Sequence, residues 1–451
     1  MMNKFAVISV FLSVCLWVQA VYAGLFKAEE FTLQNGLHCV VIENHKAPLV
    51  KQIVWYKSGS VDEQKGKGGS AHLLEHLMFR GTKYAKDGEF NRVMEKYGVS
   101  DNAFTSHDVT GYYQFADVSK LEVLLAYEAD RMANLNFDEK AFEAERKIVY
   151  QERMQRVENN PSSPFYERLN LILWGNNPYG QPVTGLPDEI MGLEYADVME
   201  FYHKFYTPSN ALLILSGDIT AKEVRPLIEK YYGKIKSHKV IRKNHETAKQ
   251  NMHEILEMSL PKVSSIKVYD KYMLPKHDEL KNKIYDYMVL EEYLGGGSTS
   301  AMYKDLVLKQ KKALSVGASY HFVTRGESVF SFNMIPQNPD EFEREGALEL
   351  LQQSADEAMQ NLSEEKLAQI KRKMSADLVF VNDNPQTAAD WIGAMLAVGF
   401  TLDEAQSYED NLNAVTLQGV KEAYAELKKA PRVSGVLLPL KHEKTDKGES
   451  K

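Results

Sequence analysis

The chain has 451 residues, 44% of them hydrophobic and 26% charged, with a formal net charge of −8 at pH 7. That composition is globular and too long for one compact core, so two domains are expected. The acidic balance argues against a nucleic-acid-binding protein.

Lys4, the apolar run Phe5 to Val18 and the end Gln19-Ala20-Val21-Tyr22-Ala23 read as a secretory signal peptide over residues 1–23, cleaved after Ala23. A retained membrane anchor is the alternative, because the run is close to spanning length, but the Val-x-Ala end favours removal. Cys15 is not a lipoprotein site, since Val14 precedes it where a small residue is wanted. No later segment is long enough to span a bilayer, so no stable membrane span is expected after signal cleavage. Of the two cysteines, Cys15 leaves with the signal and Cys39 remains alone in the apolar run His38-Cys-Val-Val-Ile42, a buried strand residue without a disulfide partner. The short n-region and the lack of a disulfide scaffold point to a bacterial periplasm.

Ser70-Ala-His72-Leu-Leu-Glu75-His76-Leu77 comes next. In a helix, residues four apart lie one above the other, so His72 and His76 can hold the same cation while Glu75 borders the same face. Gly68-Gly69 punctuates the chain, Ser70 can cap the first turn, and Leu73, Leu74, Leu77 and Met78 supply apolar surface. An amphipathic core helix explains the leucines but not the two histidines and the glutamate. A catalytic zinc takes a third protein ligand, for which a carboxylate is a usual choice.

Asp101-Asn102 is a turn signal, and Asn102-Ala103-Phe104-Thr105 after it reads from the residues alone as a loop entering a core strand, with Tyr112 and Tyr113 as core or sheet-face aromatics. The segment Ala141 to Arg156 is rich in helix formers, with Phe142, Ile148, Val149 and Met154 as its apolar positions. It offers three candidate carboxylates: Glu143, Glu145 and Glu152. Glu145 and Glu152 are seven apart and share a face. By themselves, beside Arg146, Lys147, Arg153 and Arg156, they would be a salt-bridged surface.

Val198 to Tyr202, leading to Pro208 and the run Ala211-Leu-Leu-Ile-Leu-Ser-Gly217, is echoed near the end of the chain. There Val420 to Tyr424 leads to Pro431 and Val433-Ser-Gly-Val-Leu-Leu438. Each copy reads as an amphipathic helix, a proline-marked turn and a short buried strand. The expected fold is α+β: two homologous domains, each a mainly antiparallel β-sheet flanked by α-helices. The expected divisions are an N-terminal zinc-binding domain over 24–236, a linker over 237–252, a C-terminal non-catalytic domain over 253–440 and a polar tail over 441–451. The linker rests on the polar stretch Ser237 to Lys249, which lacks apolar periodicity; its basic residues have no interleaved aromatics and suit a solvated linker better than nucleic acid. The glycine-rich Leu294 to Ser300 opens a helix and is no phosphate loop, because no Gly-Lys-Ser/Thr follows.

His72-x-x-Glu75-His76, followed by Glu145 and Glu152, resembles the inverted zinc-motif peptidases, the pitrilysin or insulinase-like group that includes mitochondrial processing peptidase. Asn102-Ala-Phe-Thr105, Asn177-Pro-Tyr-Gly-Gln-Pro-Val-Thr-Gly185 and Phe201 to Asn210 look like further landmarks, and the resemblance runs from about Phe31 to Leu440. It implies that His72, His76 and Glu152 bind one Zn2+, that Glu75 is the general base on the metal-bound water, and that Glu145 is a carboxylate behind the ligands. By the same resemblance Asn102, Ala103, Phe104 and Thr105 belong to an edge strand that pairs with the substrate backbone.

In relatives with the glycine-rich segment, an arginine and a tyrosine seven apart lie downstream and help hold the substrate. Val307 and Leu314 stand there in this chain. The expected protein is thus a periplasmic zinc metalloendopeptidase acting on peptides or unfolded segments, and one subunit of a heteromer whose homologous partner supplies the missing pair. The competing readings are a non-catalytic binding or scaffold subunit, which would normally have lost zinc ligands, and a metal hydrolase acting on something other than peptides.

Overall fold

A computed structural model describes residues 26–243, 245, 253–338 and 344–440. The signal segment 1–23, the tail 441–451 and much of the expected linker 237–252 lie outside the described residues.

Strands β1 (Ala28–Thr32), β2 (His38–Glu43), β3 (Leu49–Tyr56), β4 (Ser100–Thr105), β5 (Thr110–Asp117) and β6 (Ala211–Gly217) form a six-stranded sheet in the order β1-β2-β6-β3-β5-β4. Strands β7 (His253–Leu260), β8 (Lys267–Lys276), β9 (Ala313–His321), β10 (Glu327–Pro336) and β11 (Arg432–Pro439) form a five-stranded sheet in the order β7-β11-β8-β10-β9. Without β1 the two orders coincide. In each, the last strand in sequence inserts between a parallel neighbour, β2 or β7, and an antiparallel one, β3 or β8. All other pairings are antiparallel. The echo in the sequence is this repeat: helix Tyr195–Phe205 leads through a turn at Pro208–Asn210 into β6, and helix Leu417–Leu427 leads through Pro431 into β11. Continuous apolar runs such as Ala211-Leu-Leu-Ile-Leu suit inner strands, and every residue of β6 is buried.

Helices α1 (Ser70–Leu77), α2 (Glu89–Lys96), α3 (Leu121–Asn134), α4 (Glu139–Arg153) and α5 (Ser163–Trp174) belong to the first half. Along β3, Val50, Val54 and Tyr56 face one side of the sheet and Ile53 and Trp55 the other, as strand alternation requires. The first set meets Leu73, Leu74 and Leu77 of α1, Leu125 and Met132 of α3, and Phe142 and Val149 of α4. Each such aliphatic side chain contributes about 2 kcal/mol by leaving water. Ile148 departs from the expected apolar face of α4 and is 46% exposed; the helix turns only one stripe inward, and Val149 holds it.

The far face of each sheet is covered from the other half. Ile392, Met395 and Leu396 of helix Pro385–Val398 pack with Ile53, Trp55, Leu212 and Ile214 of the first sheet. Conversely, Phe165, Leu169 and Leu173 of α5 pack with Met273, Val433 and Leu437 of the second. Among the described residues no helix is long and apolar enough to cross a membrane.

Candidate metal centre

The inner end of the first sheet positions three carboxylates and two imidazoles on α1 and α4. Helix α1 begins differently from the expected serine cap. Gly69, in the left-handed region at φ 89°, is its N-cap, and Ser70 is already the first helical residue, its hydroxyl turned back to the Lys67 carbonyl. The free amides at this end are met from outside the helix: Glu63 accepts from Gly69 N at 3.1 Å and from Ala71 N at 2.8 Å. Burial, against the pull of those two amides, pushes the Glu63 carboxyl up to about 8.

His72 and His76 project from one face with their ring centroids 5.0 Å apart. Glu152 on α4 reaches both, its Oε1 lying 4.0 Å from His72 Nε2 and its Oε2 3.5 Å from His76 Nε2. One ligand atom from each of the three residues lies within 4.8 Å of the others, as donors to a shared ion must. Arg156, itself exposed, also pairs with Glu152 Oε1, at 2.5 Å.

The donor set suits a metal. His76 Nδ1 is 3.0 Å from Glu145 Oε2, which directs Nε2 toward Glu152. Arg80 pairs with the other Glu145 oxygen and holds that carboxylate in place. His72 Nδ1 is buried without a hydrogen-bond partner among the described residues. Burial, together with the neighbouring His76 charge, lowers the His72 pKa to about 4, so the ring is neutral and its lone pair available at pH 7. Burial lowers His76 too, but the Glu145 hydrogen bond and the surrounding carboxylates outweigh it and raise its pKa. Of the three carboxylates left open by the sequence, Glu143 alone is uninvolved; it pairs with Arg146 at 2.7 Å on the surface.

Glu75 accepts a hydrogen bond from the Thr105 hydroxyl and lines, with His76, Phe79, Arg80, Asn102 and Glu145, a cleft of about 340 Å³. Burial raises the Glu75 pKa against the opposing Thr105 bond. Residues Asn102 to Thr105 lie in β4, an edge strand and not a loop, and they divide between faces. Asn102 reaches the cleft, Ala103 packs on the α1 side and Thr105 touches Glu75, whereas Phe104 turns away to pack edge-on against Trp55 with ring centroids 5.0 Å apart. Val307 lies half-buried in the π-helical segment Tyr303–Lys309, and Leu314, 55% exposed, is the second residue of β9. Sequence reasoning missed Glu63 and Arg80. Arg80 follows His76 by four residues, a signal within reach; Glu63 meets α1 only through a loop that doubles back, which no helical period encodes.

A buried histidine, a half-buried histidine and a half-buried glutamate on facing helices, in an α+β repeat, form a group of the His-x-x-Glu-His type able to hold a metal ion. The sequence profile described as Insulinase (Peptidase family M16) matches residues 39–186, and that of the Peptidase M16 inactive domain matches residues 192–374. Zinc protease PqqE of Helicobacter pylori is 32% identical over 310 residues, 68% of this chain and 69% of its own length. An uncharacterized zinc protease, YmxG of Bacillus subtilis, is 27% identical over 65% of this chain and 70% of its own. The crystal structure of a protease from Helicobacter pylori superposes with a TM-score of 0.83 at 27% identity, over 92% of this chain and 100% of that one. The first half of the periplasmic protease PqqL from Escherichia coli, at 18% identity, shares the fold with a TM-score of 0.76 over 92% of both chains. The chain belongs to the insulinase (M16) peptidase family, with both its peptidase and its inactive-domain parts.

Proposed function

We propose that this protein is a zinc-dependent metalloendopeptidase in which His72, His76 and Glu152 hold one Zn2+ and Glu75 is the general base. The observation that carries this reading is the convergence of those three donors beside a half-buried carboxylate whose hydrogen bond goes to Thr105. Zinc, when bound, lowers the pKa of water toward neutrality and polarises the scissile carbonyl. Glu75 takes the proton of the attacking water at a carboxylate oxygen and returns it to the leaving amine. Thr105 fixes the Glu75 carboxylate, and Glu145, braced by Arg80, fixes the His76 ring. Strand β4, with no sheet partner on its outer side among the described residues, receives the substrate backbone by strand addition, with Asn102, Ala103, Phe104 and Thr105 as the pairing residues. Main-chain pairing of this kind suits extended peptides and unfolded segments.

The apolar Val307 and the exposed Leu314, where relatives carry an arginine and a tyrosine, support a catalytic subunit that works with a homologous partner. The signal-like first 23 residues and the likeness to a periplasmic protease of Escherichia coli support a periplasmic setting. The mature chain, purified alone and then mixed with a homologous subunit, should contain one zinc and cleave a quenched peptide library. Glu75→Gln should keep the metal and lose cleavage. Cleavage by Glu75→Gln at the wild-type rate would remove Glu75 as the base, and zinc without cleavage in either setting would favour a scaffold subunit.

A further inference from the structure

The turn between β9 and β10 in the second half reaches across to the first and carries Arg325, whose side chain is 14% exposed. Its Nη2 lies 3.0 Å from Asp62 Oδ2 and its Nε 3.0 Å from Asp108 Oδ1. Both carboxylates are themselves buried, with side chains 1% and 6% exposed. Thr324 adds a hydrogen bond from its hydroxyl to Asp108 Oδ2 at 2.9 Å, the Arg325 amide donates to the same oxygen at 3.3 Å, and the Tyr179 hydroxyl donates to Asp108 Oδ1. A lone buried ion pair is weak grounds for a functional claim, because desolvation offsets its attraction.

Asp108 sits in the four-residue turn Ser106-His-Asp-Val109 that closes β4 onto β5, three residues past Thr105, whose hydroxyl holds Glu75. Asp62 sits one residue before Glu63, whose carboxyl receives the amides of Gly69 and Ala71 at the start of α1. The two segments are stitched to each other: Ser60 N donates to Ser106 O at 3.1 Å and Val61 N to His107 O at 3.0 Å. No side chain fits between them, since a Cβ on Gly59 would lie 2.3 Å from the Ser106 carbonyl oxygen. One guanidinium from the second half therefore grips both loops that fix α1, one at its first turn through Glu63 and one beside its base through Thr105.

We infer that Arg325 is a positioning residue for the metal helix and its base, so that the non-catalytic half sets the geometry of the candidate centre through Asp62 and Asp108. The inference rests on the peptidase reading for its effect on rate but not for its effect on structure. It gives the second half, which holds no metal-ligand cluster among its described residues, a part in the chemistry of the first, because misplacing a base by about 1 Å is enough to cost about a hundredfold in rate.

The test uses the full chain with Arg325→Met, Arg325→Lys as a milder second variant, and Tyr166→Phe as a control. The control removes two other hydrogen bonds between the same halves, Tyr166 Oη with Tyr269 Oη at 3.0 Å and Lys267 Nζ to Tyr166 Oη at 3.4 Å, neither of which involves a residue of α1 or of the two loops that brace it. Hydrogen–deuterium exchange of the metal-free proteins should show peptides covering 59–77 and 100–109 opening about tenfold faster in both Arg325 variants and unchanged in the control. Cleavage per bound zinc should fall about a hundredfold in kcat for Arg325→Met, with KM moving less, and should be partly restored in Arg325→Lys. If Arg325→Met does not fold, Arg325→Lys decides by the same readouts. Unchanged exchange across 70–77, or a wild-type kcat per zinc in a folded variant, overturns the inference. Should the wild type cleave no peptide while the exchange pattern changes as stated, the peptidase reading falls and the positioning role stands.

Discussion

The Thr105 hydroxyl donates to the Glu75 carboxylate, tying the edge strand β4 to the helix that carries both histidines. The residue expected to meet substrate through its backbone thus also acts through its side chain on the proposed base. Its hydrogen bond goes to an ionisable partner, which places its worth at about 1.5–3 kcal/mol. Thr105→Val keeps the β-branched shape and removes the hydroxyl. It should lower kcat by about tenfold or more while leaving zinc content at the wild-type level. Steady-state kinetics with metal analysis on the same sample checks this, and a wild-type kcat would detach Thr105 from the chemistry.

Glu152 and Glu145 occupy the same face of α4 but stand in different relations to the imidazoles. Glu152 approaches the Nε2 of both rings, and Glu145 the Nδ1 of His76 only. Glu152→Ala should lose the metal. Glu145→Ala should retain it with an affinity about 10–100-fold weaker, the usual effect of removing a group that orients a ligand. Competition with a chromophoric chelator separates the two, and equal affinities would erase the distinction between them.

Much of this arrangement was legible in the chain. The four-residue spacing of His72 and His76 and the heptad from Glu145 to Glu152 are local, and helical periodicity translates them directly into shared faces. The helix–turn–strand echo of Val198 to Gly217 in Val420 to Leu438 likewise foretold the two sheets of matching order. The start of α1 was not legible. A serine before an apolar run is an ordinary cap, whereas Gly69 with a carboxylate reaching in from Glu63 depends on how the loop 59–69 folds back. The division of β4 was equally hidden, because Asp101-Asn102 gives a turn signal that sheet pairing with β5 overrides. Arg325 is more than 200 residues from both carboxylates it grips, 263 from Asp62 and 217 from Asp108, and no pattern in one chain encodes such a contact.

Asp286, in helix Lys283–Gly295, makes a pH-dependent contribution to stability. Burial, opposed by Lys283 and reinforced by the Glu422 and Glu426 charges, raises its pKa from 3.8 to about 6. The folded state keeps a proton that the unfolded state has already released, so stability falls as pH rises from about 4 through about 6 and is level above that. Asp286→Asn removes the cost of ionising the group. It should raise the thermal midpoint at pH 7.5, by an amount equivalent to about 1 kcal/mol once solvent screening of this half-exposed site is allowed for, and leave it unchanged at pH 3. Melting curves at the two pH values test the sign, and equal shifts at both would show that the gain has another origin.

Gly393 lies where helix Pro385–Val398 of the second half rests on Trp55 of the first sheet. A Cβ there would stand 2.2 Å from Trp55 Nε1 and 2.4 Å from its Cε2, inside any permitted contact. Trp55 cannot retreat easily, since Phe104 packs edge-on against it and Ile53, Leu212 and Ile214 complete the same buried cluster. The extra methyl must therefore move the helix, and overpacking of a close-packed core costs about 1–3 kcal/mol. Gly393→Ala should lower the unfolding free energy by that amount, and tryptophan fluorescence should report the displaced Trp55 ring. Trp55→Phe removes the larger indole from the contact and should recover part of the loss in the double variant, because the two residues are in direct contact and their effects cannot add. Additive losses in that cycle would mean that the helix meets the sheet elsewhere and that Gly393 is not what lets the two halves close.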